Sequence, residues 1–373
     1  MELTELLGIE LPIVQAPMAV AQDSAMAIAV SNAGGLGSLP CAMLTADGLR
    51  KELESIKSQT NKPINVNFFC HGAPDADAER ESAWRAALAP YYRQFGIDPA
   101  GIPTGPGRAP FSAEFADLLE QYQPAVVSFH FGLPAAHLLA RVKSWRSKIF
   151  SSATTVEEAL WLEAHGVDAI IAQGLEAGGH RGMFLSDDLT TQVGTFALLP
   201  QIVRAVKLPV VAAGGIADAQ GVAAAMALGA AGVQIGTAYL LCPEATISAI
   251  HRAALKSEAA RHTALTNLFT GRPARGIVNQ LMRELGPINS FAPARRQHQK
   301  TKKLLDVAAK QAKRLAKQAL AGPAVKKERV KKEKVKKEKV KTEKVKKVKL
   351  TKEELGRQDA KKSSAGAGKK GAS

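Results

Sequence analysis

The stretch Pro209-Val210-Val211-Ala212-Ala213-Gly214-Gly215-Ile216-Ala217-Asp218 decides the fold: a short apolar run ends in two glycines, and a helix cap follows. Gly232-Val233-Gln234-Ile235-Gly236-Thr237 repeats the pattern further along the chain. Short apolar runs bounded by turn residues read as strands buried on both faces, the kind found in parallel sheets with helical crossovers. Working outward, similar runs occur at Ile13–Ala16, Leu36–Leu39, Ile64–Phe68, Ala125–Phe129, Lys148–Ser151 and Asp168–Ala172. Helices are expected between them. Thr155–His165 opens on Thr154, Thr155, Glu157 and Glu158, a capping signature with acids at the positive end of the helix. Asp218–Leu228 runs from an Asp cap to Gly229. Strands alternating with helices in this way predict a (β/α)8 barrel, with an open doubly wound sheet as the structural alternative. Residues 72–123 and 244–293 are too long for simple crossovers; the first holds the Gly/Pro-rich Gly96–Pro110, and the second reads as helical and then loop-like. Both are expected at the C-terminal rim of the barrel as a smaller helical lid.

The formal net charge of +16 is unevenly held. Residues 1–293 carry 21 Lys and Arg against 26 Asp and Glu, residues 294–321 carry 9 against 1, and residues 322–373 carry 20 against 7. A mildly acidic barrel domain, 1–293, is therefore followed by a basic helical extension, 294–322, and a Lys-rich tail, 323–373. In the tail Val330, Val335, Val340 and Val345 recur with a period of five, which suits neither a helix stripe nor a strand, and the segment is expected to be disordered. No apolar run approaches the roughly 18 residues of a membrane span. Met1-Glu2-Leu3-Thr4-Glu5 lacks the basic start of a secretory leader. Cys41, Cys70 and Cys242 are odd in number and far apart, so no disulfide framework or metal site is expected, and a cytoplasmic location is.

Several residues carry candidate chemistry. The glycines after the last two barrel strands let backbone amides approach a phosphate, and loops in those positions are the usual phosphate site of such barrels. Gln173-Gly174-Leu175-Glu176-Ala177-Gly178-Gly179-His180-Arg181-Gly182 surrounds one histidine with glycines, a loop able to fold over a flat ligand. Histidine exchanges protons near neutral pH. Asn65 and Asn67 fall on one side of the third strand and offer amides to a heterocycle edge or to each other's neighbours. His130 ends the fourth strand and reads as a pocket wall, and Met18 at the end of the first strand is placed to lie against a ring or to fill the core. There is no GxGxxG opening, P-loop, GxSxG elbow or metal-spaced His/Cys cluster, so the chemistry is expected from a bound phosphorylated cofactor and a few side chains.

Taken together, Gln15-Ala16-Pro17-Met18, Ala29 to Gly37, Asn65-Val66-Asn67, Val126 to Gly132, the Gln173–Gly182 loop, Ala213 to Ile216, Gln234 to Ala238 and Phe269 to Arg275 resemble the nitronate monooxygenase (2-nitropropane dioxygenase) family of FMN enzymes. The resemblance covers about residues 8–293 and is most specific over Glu176–Gly182. It implies a (β/α)8 barrel with FMN at the C-terminal rim, contacted by Asn67, Gln173, Gly178, Gly215, Gln234, Ile235, Gly236 and Thr237. It implies His180 as catalytic base, and oxidation of alkyl nitronates with O2 to a carbonyl compound and nitrite. After Pro17-Met18 the chain reads Ala19-Val20-Ala21-Gln22-Asp23, where the family has a glycine-rich turn.

Two rival functions share much of this reading. A flavin-dependent enoyl-acyl-carrier-protein reductase, or an NAD(P)H:quinone reductase, would use the same scaffold but draw electrons from NAD(P)H. Of a different class is non-specific nucleic-acid association through residues 325–373, whose lysines can neutralise phosphates without reading sequence.

Overall fold

The computed structural model describes residues 2–72, 77–102, 110–292 and Lys310. The chain divides into two compact units, Met1–Val307 and Ala308–Ser373. The helical extension expected over 294–322 and the disordered tail expected over 323–373 lie outside the described residues, Lys310 apart.

Up to Ile235 the described residues of the first unit carry nine strands: β1 (Ile13–Gln15), β2 (Gly37–Pro40), β3 (Ile64–Phe69), β4 (Val126–His130), β5 (Lys148–Ala153), β6 (Ala169–Gln173), the two-residue β7 (Gly179–His180), β8 (Val210–Ala213) and β9 (Gly232–Ile235). All except β7 form one parallel sheet in the order β1-β9-β8-β6-β5-β4-β3-β2. A parallel bridge between Val14 and Leu36 joins the two end strands, so the sheet closes into a barrel. Closure removes both sheet edges and decides against an open doubly wound sheet. The helices between strands start where the sequence places them. Thr155 caps the helix Val156–Ala164 through the amide of Glu158, and Asp218 caps Ala219–Ala227 through that of Gly221.

Two faces of the strands do different work. One face (Val66, Phe68, Val127, Phe129, Ile170 and Val233 among others) packs under the surrounding helices. The other fills the barrel, with Val14, Leu36, Val126, Phe150, Ile171 and Val211 forming its apolar floor. In register with these inner positions, and mostly nearer the strands' C-terminal ends, stand Ser38, Asn65, Asn67, Ser128, Ser152, Gln173 and Gln234. The interior thus turns from apolar to amide and hydroxyl toward the rim that bears the βα loops.

The two long insertions share a second core, in which Trp84, Leu88, Tyr91 and Tyr92 meet Leu268, Leu281 and Met282. The first insertion is helical over Ala78–Phe95 and Ala113–Leu119. The second departs from the helix-then-loop expectation. After the helix Ala249–Leu255 it forms a hairpin, β10 (Thr263–Thr266) and β11 (Ala274–Ile277), before the helix Gln280–Leu285. Thr263-Ala264-Leu265-Thr266 and Ala274-Arg275-Gly276-Ile277 are mixed in polarity and mostly half-buried, so they leave no apolar run to read. β11 pairs antiparallel with β7, giving a small sheet β10-β11-β7 that fastens the hairpin to the loop after β6. No helix among the described residues is long and apolar enough to cross a membrane.

Candidate active site

The loop after β6 is built from its ends inward. Arg181 is completely buried, and its guanidinium donates to the carbonyls of Gly174 at 2.6 Å and Gln173 at 2.7 Å and to Gln192 Oε1 at 3.0 Å. Burial, reinforced by the nearby Arg275 charge, pushes its pKa down to about 10, so it stays charged at neutral pH. Gln173 works at both ends of the same loop, its Nε2 donating to the carbonyl of His180 at 3.0 Å and its Oε1 accepting from Gly182 N at 2.7 Å. Glu176 turns away to cap the next helix, accepting from Thr195 N at 2.8 Å and Thr195 Oγ1 at 2.9 Å, because the cap residue Gly194 has no side chain to do so.

These bonds leave His180 half-buried on β7, with its backbone fixed by β11. Its Nε2 lies 2.8 Å from Thr270 Oγ1, at the tip of the β10–β11 hairpin. His130 stands behind it: His130 Nε2 is 3.3 Å from the carbonyl of His180, and Nδ1 is 3.1 Å from Ser152 Oγ. Around both rings lie Phe69 and Phe131, with centroids 6.3 and 6.1 Å from that of His180. Phe131 has φ +69°, a strained backbone for a bulky residue, and the guanidinium of Arg272 lies 4.7 Å over its ring. Burial lowers the pKa of Arg272 while leaving it charged.

A second group of expected residues meets on the neighbouring strand ends. Gly214 and Gly215 take φ of +116° and +71°. A Cβ on Gly214 would strike Ala177 N and Thr195 Oγ1 at 2.9 Å, whereas Gly215 is exposed and would meet only the Glu176 side chain at 3.4 Å. The loop is thus packed on one side and open on the other. Thr237 Oγ1 lies 3.0 Å from where a Cβ on Gly178 would sit, and Met18 Sδ lies 3.7 Å from the same position on Gly236. Gly178, Gly236, Thr237 and Met18 therefore come together at one mouth. Gln234 Oε1 is buried there without a hydrogen-bond partner among the described residues. Ile235 instead faces the helices. Asn67 donates to Ser128 Oγ at 2.9 Å and Asn65 to Ser38 Oγ at 2.9 Å, so both amides are anchored inside the barrel.

Four residues of this region carry weight that the sequence reading did not give them. Thr270 and Arg272 belong to Phe269–Arg275, whose residues suggest no role by local pattern. His71, buried beside Phe69 and Phe131, follows Phe69 at the strand period of two, a signal that was available. Glu158 was read as a helix-end acid. Its carboxylate does accept from Thr154 N and Oγ1, both at 2.7 Å, but it also reaches Phe184 N at 2.6 Å and so pins the chain just beyond His180. No group of three or more His, Cys, Asp or Glu among the described residues could hold a metal ion.

The model of the nitronate monooxygenase family matches residues 1–348 of this chain, farther than the 8–293 over which its motifs could be recognised. A nitronate monooxygenase of Paraburkholderia phytofirmans is 48% identical over 281 residues, covering 74% of this chain and 76% of the relative. One from Pseudomonas aeruginosa is 44% identical over 286 residues, 74% of this chain and 80% of its own. Among solved structures, the nitroalkane oxidase of Streptomyces ansochromogenes superposes with a TM-score of 0.74 at 39% identity, covering 83% of this chain and 88% of that one. A closed parallel barrel with a histidine loop sewn to its rim thus coincides with a match over most of the chain, and the protein belongs to the nitronate monooxygenase family, oxidoreductases that act on nitronates.

Proposed function

We propose that the chain holds its flavin as FMN, on the open side of Gly214 and Gly215 and at the mouth formed by Gly178, Gln234, Gly236 and Thr237, with His180 as the base. The single observation that carries this reading is the convergence of the β6, β8 and β9 loops on one rim, with His180 on the first of them. The residues present fit the group. The buried Gln234 Oε1 is an acceptor in want of a donor, which the ring N–H of an isoalloxazine supplies, and Gly215 leaves backbone amides accessible to a phosphate beside the start of the helix Ala219–Ala227. Asn67 and Gln173 belong to the same inner layer and complete the polar floor. A flavin held there would supply the electron-transfer chemistry between nitronate and O2.

The protein's own part is acid–base and electrostatic. A nitroalkane is a carbon acid whose conjugate base spreads its charge into the nitro group, so a neutral imidazole placed at the α-carbon can take the proton. The Arg272 cation on Phe131 puts positive charge near the developing anion, while Phe69 and Phe131 exclude water around the ring. Nitronate or nitroalkane and O2 are the partners this site needs. Cys41, Cys70 and Cys242 are all free, which supports a reducing, cytoplasmic setting.

The test is anaerobic. The yellow protein, mixed separately with an alkyl nitronate and with NADH, should bleach fast with the nitronate and slowly or not at all with NADH. Fast bleaching by NADH alone would assign the site to the reductase alternatives. Heat release and chromatography of the flavin should give FMN; recovery of FAD would refute the single-phosphate cradle.

A further inference from the structure

A buried line of side chains runs beside the histidine loop. Arg181 Nε donates to Gln192 Oε1 at 3.0 Å, Gln192 Nε2 to Thr154 Oγ1 at 3.0 Å, and Thr154 Oγ1 to Glu158 Oε2 at 2.7 Å. Glu158 Oε1 then accepts from Phe184 N at 2.6 Å, so the line leaves the backbone at Arg181 and rejoins it just beyond. On the way it passes through Gln192, after the turn Leu189–Thr191, and Thr154, after β5. Arg181 and Thr154 are fully enclosed, and Glu158 and Gln192 are 1% and 7% exposed. The direction of the line is forced. A guanidinium only donates, so Gln192 must turn its oxygen to Arg181 and its amide N–H to Thr154, which leaves the hydroxyl proton for Glu158. Every dipole therefore points from the buried cation to the buried carboxylate, and each bond polarises the next.

Arg181 is the end that bears on the site. Its guanidinium holds the Gln173 and Gly174 carbonyls, and its backbone N donates to Pro273 O at 2.9 Å, beside the hairpin tip. The guanidinium is a rigid plane, so wherever Gln192 fixes Nε the two carbonyls must follow, and with them the loop that carries His180. We propose that Gln192 and Thr154 are positioning residues for proton removal from the substrate: they set the placement of Arg181, and through it the placement of His180. The proposal rests on His180 being the base. Proton transfer demands close alignment of base and C–H bond, so a small shift of the loop costs this step more than it costs the binding of flavin.

The line can be cut without stranding its ends. Without the Thr154 hydroxyl, Glu158 Oε2 still accepts from Thr154 N at 2.7 Å, and Gln192 Nε2 still reaches Thr191 Oγ1 at 3.3 Å. The experiment therefore compares the full, flavin-loaded chain with Thr154→Val, which keeps the shape and loses the hydroxyl, and Thr154→Ser, which keeps the hydroxyl. Steady-state rates are measured on a neutral nitroalkane and on its preformed nitronate, with flavin content read from absorbance. Thr154→Val should retain its flavin and lose about tenfold or more in kcat on the nitroalkane, with little change in KM and a smaller loss on the nitronate. Thr154→Ser should restore the wild-type rates. If Thr154→Val does not fold, Gln192→Met cuts the same line one link nearer the histidine and should show the same split. Unchanged nitroalkane rates overturn the proposal. So do equal losses on both substrate forms in a background where His180→Asn separates them, since the line would then support the fold alone. If His180→Asn itself affects both forms alike, the base assignment fails and the proposal falls with it.

Discussion

His180 and Arg181 are adjacent in the chain and opposite in purpose. One side chain, the proposed base, lies half-buried at the rim; the other is sealed away, donating to three backbone or amide oxygens. His180→Asn should keep the flavin and lose about 10²–10⁴-fold in turnover of a neutral nitroalkane, the usual worth of a positioned base, with a smaller loss on preformed nitronate. Steady-state rates on the two substrate forms check this. Arg181→Met should be a folding defect instead. It strands the Gln173 and Gly174 carbonyls and Gln192 Oε1, costing about 3 kcal/mol in denaturant titrations and releasing flavin. Arg181→Lys should not rescue it, because a single ammonium cannot replace a planar fork spanning three acceptors. The glycine-flanked histidine was legible because few structural needs put so many glycines around one titratable side chain. Thr270 and Arg272 were not, because their placement beside His180 and Phe131 comes from a hairpin folding back across the chain, which local pattern does not encode.

Among the elements, the eight barrel strands were readable from sequence and the other three were not. Buried on both faces, Val210–Ala213 is apolar throughout and Ala169–Gln173 is apolar up to its last residue, which leaves a plain signature. β7 has two residues, Gly179 and His180, too few for any periodicity, and exists because β11 supplies its partner. The helix Val156–Ala164 shows an intermediate case: its cap was legible, but the reach of Glu158 to Phe184 and Leu185 depends on where the next loop lands. Glu158→Gln should therefore do more than weaken a helix end. An amide turns one acceptor into a donor facing N–H groups, and stability should fall by about 2 kcal/mol, read from the denaturant midpoint. Near-neutral behaviour would show that the loop beyond His180 is held by packing alone.

For the whole molecule, the decisive quantity is how charge is divided. Residues 1–293 are net acidic and residues 322–373 carry 20 Lys and Arg against 7 Asp and Glu. Deleting residues 325–373 should leave flavin content, melting temperature and turnover nearly unchanged. It should also abolish any salt-sensitive retention on DNA or RNA, since binding of that kind depends on neutralised phosphates. A stability loss above about 1 kcal/mol would mean the segment is docked, because changes away from packed features usually stay near 0.5. The barrel itself has an uneven circumference. Elsewhere its strands pair over three to five residues, but β1 and β2 meet through one bridge, Val14 with Leu36. Beyond it the strands are stapled by side chains: Ser38 N donates to Gln15 Oε1 at 3.0 Å, Ser38 O accepts from Gln22 Nε2 at 2.6 Å, and Gln22 Oε1 takes Met18 N at 3.2 Å. Such a joint is where the cylinder should breathe first. In native-state deuterium exchange the Leu36 and Ser38 amides should lose protection before those of β3 and β4. Loading with flavin should slow them, since the staple ends at Met18, beside the mouth proposed for the cofactor; the seam, read over minutes to hours of exchange, then acts as a gauge of occupancy.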